Sequence, residues 1–337
     1  MNPFRLATVI ACIFGLITSC SAHAAPASST QSPTDFRGAA GDADHLSSVL
    51  VNGVKLTYRI EGAGVPAIFV HGEGYSHEVW TRQVDSFSER YQFVSYDRRG
   101  HGLSEDPPTG YSVIAHAEDL HALMTSFGMQ AAHLIVHSRG GAIAIQFLRM
   151  YPEKVRSITF ADATIPLTEI ADNSAFKSSI GRLKGPPPTL QEALRKREGA
   201  KTSAFTRVSQ SRADTNEILR RMVDQYSPRV AMNRQRSDMA SPMDLGPWNS
   251  RDFPDVSQIH QPTLLIVAEL SDVYFKDGAA EAHRLWPNSR LVQMPTVDHL
   301  LMLEDPEAFN RLVLAFLAEV DAQIAKHARW SGTPTDQ

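Results

Sequence analysis

The chain has 337 residues, of which 42% are hydrophobic and 21% are charged. This composition excludes a disordered chain, and 2 cysteines are too few for a disulfide-stabilised scaffold. The formal net charge of -4 at pH 7 argues against a nucleic-acid-binding protein, because such proteins normally carry concentrated positive charge.

The N-terminal residues have the layout of a bacterial secretory signal peptide. Arg5 precedes a mostly apolar run over residues 6–17, and small residues follow up to Ala22-His23-Ala24. Such a run is too short to span a bilayer as a mature helix and is typical of an export signal that is removed. We therefore predict a signal peptide over residues 1–24 and a periplasmic or secreted protein.

Cys20 leaves a second processing route open. The sequence Ile17-Thr18-Ser19-Cys20 resembles a lipobox, in which cleavage before the cysteine yields a lipoprotein. Contact with a membrane is expected only on this route. Residues 25–45 are rich in small residues, Pro and Gly, and predict a flexible leader.

From Leu46 onward, short apolar strands alternate with segments of helical length. An Asn52-Gly53 turn between two strand-like runs predicts an opening β-hairpin. Further strands are predicted over four short apolar runs, at residues 67–70, 92–96, 133–136 and 155–160. Short apolar strands separated by helices predict an α/β fold with a mostly parallel sheet covered on both faces.

The alternation stops after Asp162 and resumes with a predicted strand over residues 263–268. The interval 163–258 contains capping boxes and apolar residues at helical spacing, among them Ile218, Leu219 and Met222. We expect this interval to form a helical cap. It would be inserted into one α/β core composed of residues 46–162 and 259–329.

The strongest chemical motif is a serine directly after the predicted strand 133–136. The sequence His137-Ser138-Arg139-Gly140-Gly141 leads from a strand into a helix, and a tight turn of this kind exposes the serine hydroxyl. The usual pattern is G-x-S-x-G, and Val136 replaces the first glycine. Ser138 is the predicted nucleophile, with a β-branched residue where the turn is crowded.

A serine nucleophile needs a base, and the base needs a carboxylate to orient it. His299 follows the last predicted strand, at residues 290–294, and so lies at the carboxyl edge where catalytic groups of open α/β sheets gather. Asp272 comes four residues after the strand 263–268 and is the predicted acid, because the chain order is then Ser, Asp, His. Asp162 lies at the same edge and is the competing acid.

Two backbone N–H groups are expected to stabilise the oxyanion that forms when Ser138 attacks. One belongs to Arg139, the residue after the nucleophile, and the other to Glu73 in the loop His71-Gly72-Glu73-Gly74. The carboxylate of Glu73 would repel an oxyanion. We therefore expect it to point away from the site and toward the side chain of Arg139.

Together these motifs resemble the α/β-hydrolase superfamily over nearly the whole chain after the leader. The matching segments are His71-Gly72-x-Gly74, Asp97-Arg98-Arg99-Gly100-His101-Gly102-x-Ser104, the Ser138 turn, the Asp272 loop, and Asp298-His299 before Glu304-Asp305-Pro306. The resemblance implies the triad Ser138, Asp272 and His299 and an oxyanion hole at Glu73 and Arg139. It also implies that Asp97, Arg99 and His101 fix loops.

The expected activity is hydrolysis of a small carboxylic ester or lactone through an acyl-enzyme, with no cofactor and no metal. A serine at position 138 argues against haloalkane dehalogenases and epoxide hydrolases, which resemble the chain elsewhere but use Asp there. Three alternative functions stay open, because the fold alone does not distinguish among them. They are a cofactor-free perhydrolase, an amide or carbon–carbon bond hydrolase on the same triad, and a non-catalytic binding protein.

Overall fold

The computed structural model describes residues 46–165, 218, 219, 222 and 259–331, the last four by their backbone alone. The predicted signal peptide, the leader and all but a few residues of the predicted cap lie outside this part of the chain. The description below concerns the α/β core.

A single sheet of eight strands runs through the described core. The strands are β1 (Leu46–Val51), β2 (Val54–Glu61), β3 (Pro66–Val70), β4 (Gln92–Tyr96), β5 (Ala132–His137), β6 (Val155–Ala161), β7 (Thr263–Ala268) and β8 (Ser289–Met294). Their order is β1-β2-β4-β3-β5-β6-β7-β8, and β2 is antiparallel to both β1 and β4. All other pairs are parallel, which confirms the predicted sheet.

The opening hairpin forms where the Asn-Gly pair predicted it. Asn52 has φ 47° and Gly53 has φ 75°, so both central residues of the turn are left-handed. A two-residue turn of this hand matches the twist of the flanking strands, which explains why Asn and Gly are suited to it.

Helices cover both faces of the sheet. They are α1 (Val84–Ser88), α2 (Val113–Ser126), α3 (Gly140–Met150), α4 (Val273–Leu285), α5 (Leu301–Glu304) and α6 (Pro306–Ser331), with 3-10 turns at His77–Trp80 and Pro152–Lys154. Every residue of β5 is buried, and its side chains alternate between two hydrophobic clusters. A strand covered on both faces has no polar side, which is why these strands read as continuous apolar runs. No helix in the described ranges is long and apolar enough to cross a bilayer.

Strands β6 and β7 are paired although about a hundred residues of sequence separate them. Ala161 lies opposite Ile266 in the parallel register. The described chain stops after Ile165 and resumes at Ile259, and both isoleucines are buried in the same hydrophobic cluster. Within the interval, Ile218, Leu219 and Met222 are helical and buried, in agreement with their predicted spacing.

Candidate active site

Ser138 sits on a strained turn between β5 and α3. Its φ is 51°, in the left-handed region that side chains other than glycine rarely adopt. The turn is held by its carbonyl oxygen, which accepts hydrogen bonds from the N–H groups of Thr164 at 2.8 Å and Gly141 at 3.0 Å. Strain of this kind persists where the surroundings fix it, and it is typical of a nucleophile turn.

Glycines around Ser138 allow backbone segments to pack against it. A Cβ atom on Gly72 would lie 2.6 Å from the Cβ of Ser138, and one on Gly140 would lie 2.6 Å from the carbonyl oxygen of Val70. Val136, which replaces the usual first glycine, is fully buried in the cluster that includes residues of α2 and α3. The turn therefore accommodates the valine as a core residue of β5.

His299 is hydrogen-bonded to Asp162. The distance from His299 Nδ1 to Asp162 Oδ2 is 2.6 Å, and the Asp162 side chain is fully buried while that of His299 is 25% exposed. The carboxylate of Asp162 also accepts hydrogen bonds from Ala268 N–H at 3.2 Å and from the hydroxyl of Ser271. A buried carboxylate in this position holds the proton of the imidazole on Nδ1 and stabilises an imidazolium.

Asp272 forms no hydrogen bond with His299, which is bonded to Asp162 instead, so the prediction that Asp272 is the triad acid is corrected. Its side chain accepts a hydrogen bond from Tyr274 N–H at 2.9 Å and caps the N-terminus of α4. Asp272 is exposed, and its carboxylate is used by the local helix start. The competing acid, Asp162, is the carboxylate that is hydrogen-bonded to His299.

Two aromatic rings fix the orientation of the His299 imidazole. Phe275 stacks on it with ring centroids 4.5 Å apart and an interplanar angle of 24°. His137 lies 4.5 Å away and donates from Nε2 to the carbonyl oxygen of His299 at 2.9 Å. Burial lowers the pKa of His137 well below its usual value, and the nearby His299 lowers it further. No hydrogen bond from another described residue occupies Nε2 of His299, the atom that would receive the serine proton.

The side chains of the two predicted oxyanion-hole residues meet. Glu73 Oε2 lies 3.4 Å from Arg139 Nε, which confirms the expected ion pair. The same carboxylate lies 3.8 Å from Arg98 and 3.8 Å from His101. These cationic and polar neighbours offset the negative charge that Glu73 brings to the loop.

The turn after β4 fixes neighbouring loops, as the resemblance implied. Asp97 is fully buried and accepts hydrogen bonds from the N–H groups of His77 at 2.6 Å and Leu103 at 2.8 Å. Arg99 forms a two-pronged ion pair with Asp119, with both nitrogen–oxygen distances at 2.6 Å. His101 Nδ1 lies 3.0 Å from the carbonyl oxygen of Arg99.

In the described ranges, no group of three or more His, Cys, Asp or Glu residues is arranged to hold a metal ion.

Two parts of this site have no clear signal in the sequence. Phe275 lies in the first turn of α4, and nothing in the sequence pattern indicates that it stacks on a histidine 24 positions later. The second is Ser271, whose hydroxyl donates to Asp162 although 109 positions separate the two residues. The first signal for Asp162 was its position directly after β6, at the carboxyl edge of the sheet.

Residues 66–306 match the family described as the alpha/beta hydrolase fold, and the chain belongs to this family. The protein is an enzyme of the hydrolase class. It is 26% identical over 277 residues to a 2-(acetamidomethylene)succinate hydrolase of Mesorhizobium japonicum, covering 81% of this chain and 96% of the relative. It is 25% identical over 280 residues to a non-heme chloroperoxidase of Streptomyces lividans, covering 79% of this chain and 97% of the relative.

A solved structure shows the same fold. The structure of Est816, described as an N-acyl homoserine lactone degrading enzyme, superposes with a TM-score of 0.61 and 26% identity. The match covers 80% of this chain and 100% of that chain.

Proposed function

We propose that the protein is an exported serine hydrolase that cleaves a small carboxylic ester or lactone, with Ser138 as nucleophile, His299 as base and Asp162 as orienting acid. The hydrogen bond between Asp162 and His299 carries this proposal. This hydrogen bond orients the imidazole of His299 as a base, at the same edge of the sheet as the strained turn that carries Ser138. The likeness to Est816, a lactone-degrading enzyme, supports inclusion of lactones among the substrates.

The reaction proceeds in two halves. His299 Nε2 takes the proton of Ser138 Oγ as this oxygen attacks the carbonyl carbon, and the N–H groups of Glu73 and Arg139 stabilise the resulting oxyanion. The intermediate collapses, the carbon–oxygen bond of the ester breaks, and the leaving alkoxide takes the proton from His299. Water then attacks the acyl-enzyme and gives a proton to His299. His299 returns this proton to Ser138 Oγ as the bond between Ser138 Oγ and the acyl carbon breaks and the acid leaves.

Asp162 acts through His299. While His299 carries two protons, the buried carboxylate faces Nδ1 at 2.6 Å and offsets the positive charge. The hydrogen bonds that Asp162 accepts from Ala268 and Ser271 hold its carboxylate in place beside His299.

Amide hydrolysis on the same triad is a second candidate. It is favoured by the similarity to a 2-(acetamidomethylene)succinate hydrolase, whose name indicates a substrate with an acetamido group. Amides place a higher demand on His299, since the leaving amine must be protonated as the carbon–nitrogen bond breaks. The similarity to a non-heme chloroperoxidase likewise keeps perhydrolysis, in which hydrogen peroxide replaces water, among the activities to be tested.

The test is a substrate panel with the mature protein. We expect turnover of short nitrophenyl esters or N-acyl homoserine lactones, and loss of this turnover in Ser138→Ala. Ser126→Ala is the matched control, because Ser126 is an exposed serine of α2 whose hydroxyl donates to the carbonyl oxygen of Ala122. If the wild type and Ser138→Ala are equally inactive on esters, lactones and amides, the proposal fails and a binding role is favoured.

Export is tested separately, by the mass of the protein isolated from bacterial cells. Cleavage after Ala24 gives a chain that starts at Ala25, whereas lipoprotein processing gives a lipidated Cys20. We expect one of these two masses in the periplasm, the medium or the membrane fraction. A chain of full length in the cytoplasm contradicts the proposed export.

A further inference from the structure

Arg98 is a buried cation directly behind the candidate oxyanion hole. Its residue exposure is 1%, although it is among the largest of the fully buried side chains. A buried guanidinium is stabilised only when its N–H groups find acceptors. The acceptors of these N–H groups therefore indicate which parts of the site Arg98 holds in place.

One of the acceptors is the backbone of the loop that carries Glu73. Arg98 Nη2 donates to the carbonyl oxygen of Gly72 at 2.8 Å. His71 Nε2 accepts from the backbone N–H of Arg98 at 3.0 Å, so the proton of a neutral His71 is on Nδ1, which donates to the same Gly72 oxygen at 2.8 Å. The carbonyl of Gly72 is thus held by two donors.

The orientation of this carbonyl fixes the orientation of the next N–H. The carbonyl of Gly72 and the N–H of Glu73 belong to one peptide plane, and in a trans peptide the two groups point in opposite directions. Because the oxygen points toward Arg98 and His71, the N–H of Glu73 points to the other side of the loop. A peptide rotated by half a turn would instead present a carbonyl oxygen there, which would repel an oxyanion.

The other contacts of Arg98 hold the guanidinium in place. Nη1 lies 3.3 Å from His116 Nε2, and Nη2 lies 3.2 Å from His101 Nε2. Burial and the adjacent Arg98 lower the pKa of His101 to about 4 and that of His116 well below its usual value. Both imidazoles are therefore neutral near neutral pH and accept hydrogen bonds from Arg98.

The charge of Arg98 is offset on the side of the oxyanion loop. Glu73 Oε2 lies 3.8 Å from Arg98 and 3.4 Å from Arg139. The carboxylate thus links Arg98 to the residue whose N–H is the second expected oxyanion donor. A displacement of Arg98 would therefore disturb both the Gly72–Glu73 peptide and the ion pair between Glu73 and Arg139.

We propose that Arg98 is a positioning residue that locks the Gly72–Glu73 peptide in the orientation that presents the Glu73 N–H to the oxyanion. This inference rests on the proposed serine-hydrolase function and adds a group that does not touch the substrate. It predicts that loss of the guanidinium lowers kcat and leaves KM nearly unchanged, because the oxyanion exists only beyond the ground state.

The chain offers a matched pair of variants in consecutive arginines. In Arg98→Lys, one ammonium cannot reproduce the forked contacts to Gly72, His101 and His116. We expect kcat to fall about 10- to 100-fold, less than or comparable to the loss of one oxyanion donor. The inhibition constant of a trifluoromethyl ketone, which binds as an oxyanion, should rise by the same factor.

Arg99→Lys is the control. Arg99 is also buried and also forms a two-pronged contact, but with Asp119 and away from the oxyanion loop. We expect Arg99→Lys to lower Tm without changing kcat or the affinity for the ketone. If Arg98→Lys keeps wild-type kcat and ketone affinity, or if the two variants lose kcat equally, the inference is overturned.

A second variant covers the case in which Arg98→Lys does not fold. His116→Leu removes one acceptor of Arg98 without altering the loop, and we expect a smaller loss of kcat and ketone affinity at unchanged KM. Wild-type values for both would overturn the inference. Labelling of Ser138 by a fluorophosphonate, measured on the wild type, distinguishes failure of the proposed function. If the wild type is neither labelled nor active on esters or lactones, the hydrolase proposal itself fails, and the role of Arg98 fails with it.

Discussion

Asp162 and His299 are joined by a 2.6 Å hydrogen bond although 137 positions separate them in the sequence. Asp162 follows β6, which lies beside the strand that carries Ser138, whereas Asp272 follows β7, one strand further away. The carboxylate thus follows the strand next to that of the serine turn, and the loop after β8 brings the imidazole of His299 to it.

Replacement of Asp162 by Asn should reduce kcat about 10³- to 10⁴-fold, because the amide no longer holds the His299 proton on Nδ1 or stabilises the imidazolium. The size of residue 162 is preserved, and Asn tolerates the left-handed backbone found there, with φ 43°. Steady-state kinetics on the best ester of the panel measure the effect.

Asp272→Asn is the matched control. Asn caps a helix about as well as Asp, so kcat and Tm should both stay at wild-type values. A larger loss of kcat in Asp272→Asn than in Asp162→Asn would show that Asp272, and not Asp162, is the acid that orients His299.

Gly72→Ala should impair catalysis by steric conflict. Its methyl group would lie 2.6 Å from Ser138 Cβ and 3.1 Å from Ser138 Oγ, so either the loop or the serine must shift. A displacement of about 1 Å in a catalytic group lowers the rate on the order of 100-fold. We expect a fall of this size in kcat/KM, measured with the same ester.

Gly128→Ala is the control for Gly72→Ala. Gly128 has φ 66° with nothing within 4 Å of an added Cβ, so the variant carries backbone strain but no clash. It should lower the free energy of unfolding by about 1 kcal/mol and leave kcat/KM unchanged. Equal kinetics in the two variants would show that the approach of Gly72 to Ser138 is not critical.

Buried neutral histidines should make the fold sensitive to acid. Burial, with a further effect of Arg98, lowers the pKa of His101 from 6.5 to about 4 and also lowers that of His116. Above pH 6.5 these residues are neutral in both the folded and the unfolded chain and add no pH dependence. Below it the unfolded chain takes up protons that the folded chain does not, so the free energy of unfolding falls by about 1.4 kcal/mol per pH unit for each histidine.

Urea unfolding between about pH 7 and pH 5 measures this slope. In His116→Leu the fall in the free energy of unfolding per pH unit should be smaller by the contribution of one histidine, about 1.4 kcal/mol. An unchanged slope in His116→Leu would mean that His116 takes up a proton in the folded state as readily as in the unfolded state.

A polar cluster at the opposite end of the strands should stabilise the fold without affecting catalysis. Asp321 of α6 accepts hydrogen bonds from Arg156 at 2.8 Å and Tyr91 at 3.2 Å, and it lies 3.2 Å from Nε2 of the buried His133. Burial raises the pKa of Asp321, but the contacts with His133 and Arg156 outweigh burial and the net pKa is lowered. Asp321→Ala should lower the free energy of unfolding by about 2 kcal/mol, since three partners lose their acceptor.

Chemical denaturation and kcat together test this role of Asp321. Glu319→Ala is the control on the same helix, because Glu319 forms an exposed ion pair with Arg290 and its loss should not measurably change stability. A reduced kcat in Asp321→Ala at full folding would contradict the separation of this cluster from the active site.

The fold and two of the three members of the candidate triad could be predicted from local sequence patterns. The Asn52-Gly53 turn and the short apolar runs indicate the hairpin and the parallel sheet, because hydrophobic periodicity is a local property. The placement of Ser138 and His299 follows from their positions after strands. The choice between Asp162 and Asp272 depends on which loop folds back toward the imidazole, and both carboxylates follow strands at the same edge.

The contacts of Arg98 could not be predicted from local patterns either. Its partners Gly72 and His116 are 26 and 18 positions away in the sequence, and only the folded chain brings them together.

The shared burial of Ile165 and Ile259 has a practical consequence for engineering. Both residues pack into the same hydrophobic cluster, and Ser138, Asp162 and His299 all lie in the described ranges on either side of them. Segments from other family members could therefore be exchanged between these two isoleucines while the catalytic residues stay on their own strands and loops. Chimeras joined at Ile165 and Ile259 would test whether substrate preference depends on the exchanged segment, with Ser138, Asp162 and His299 left unchanged.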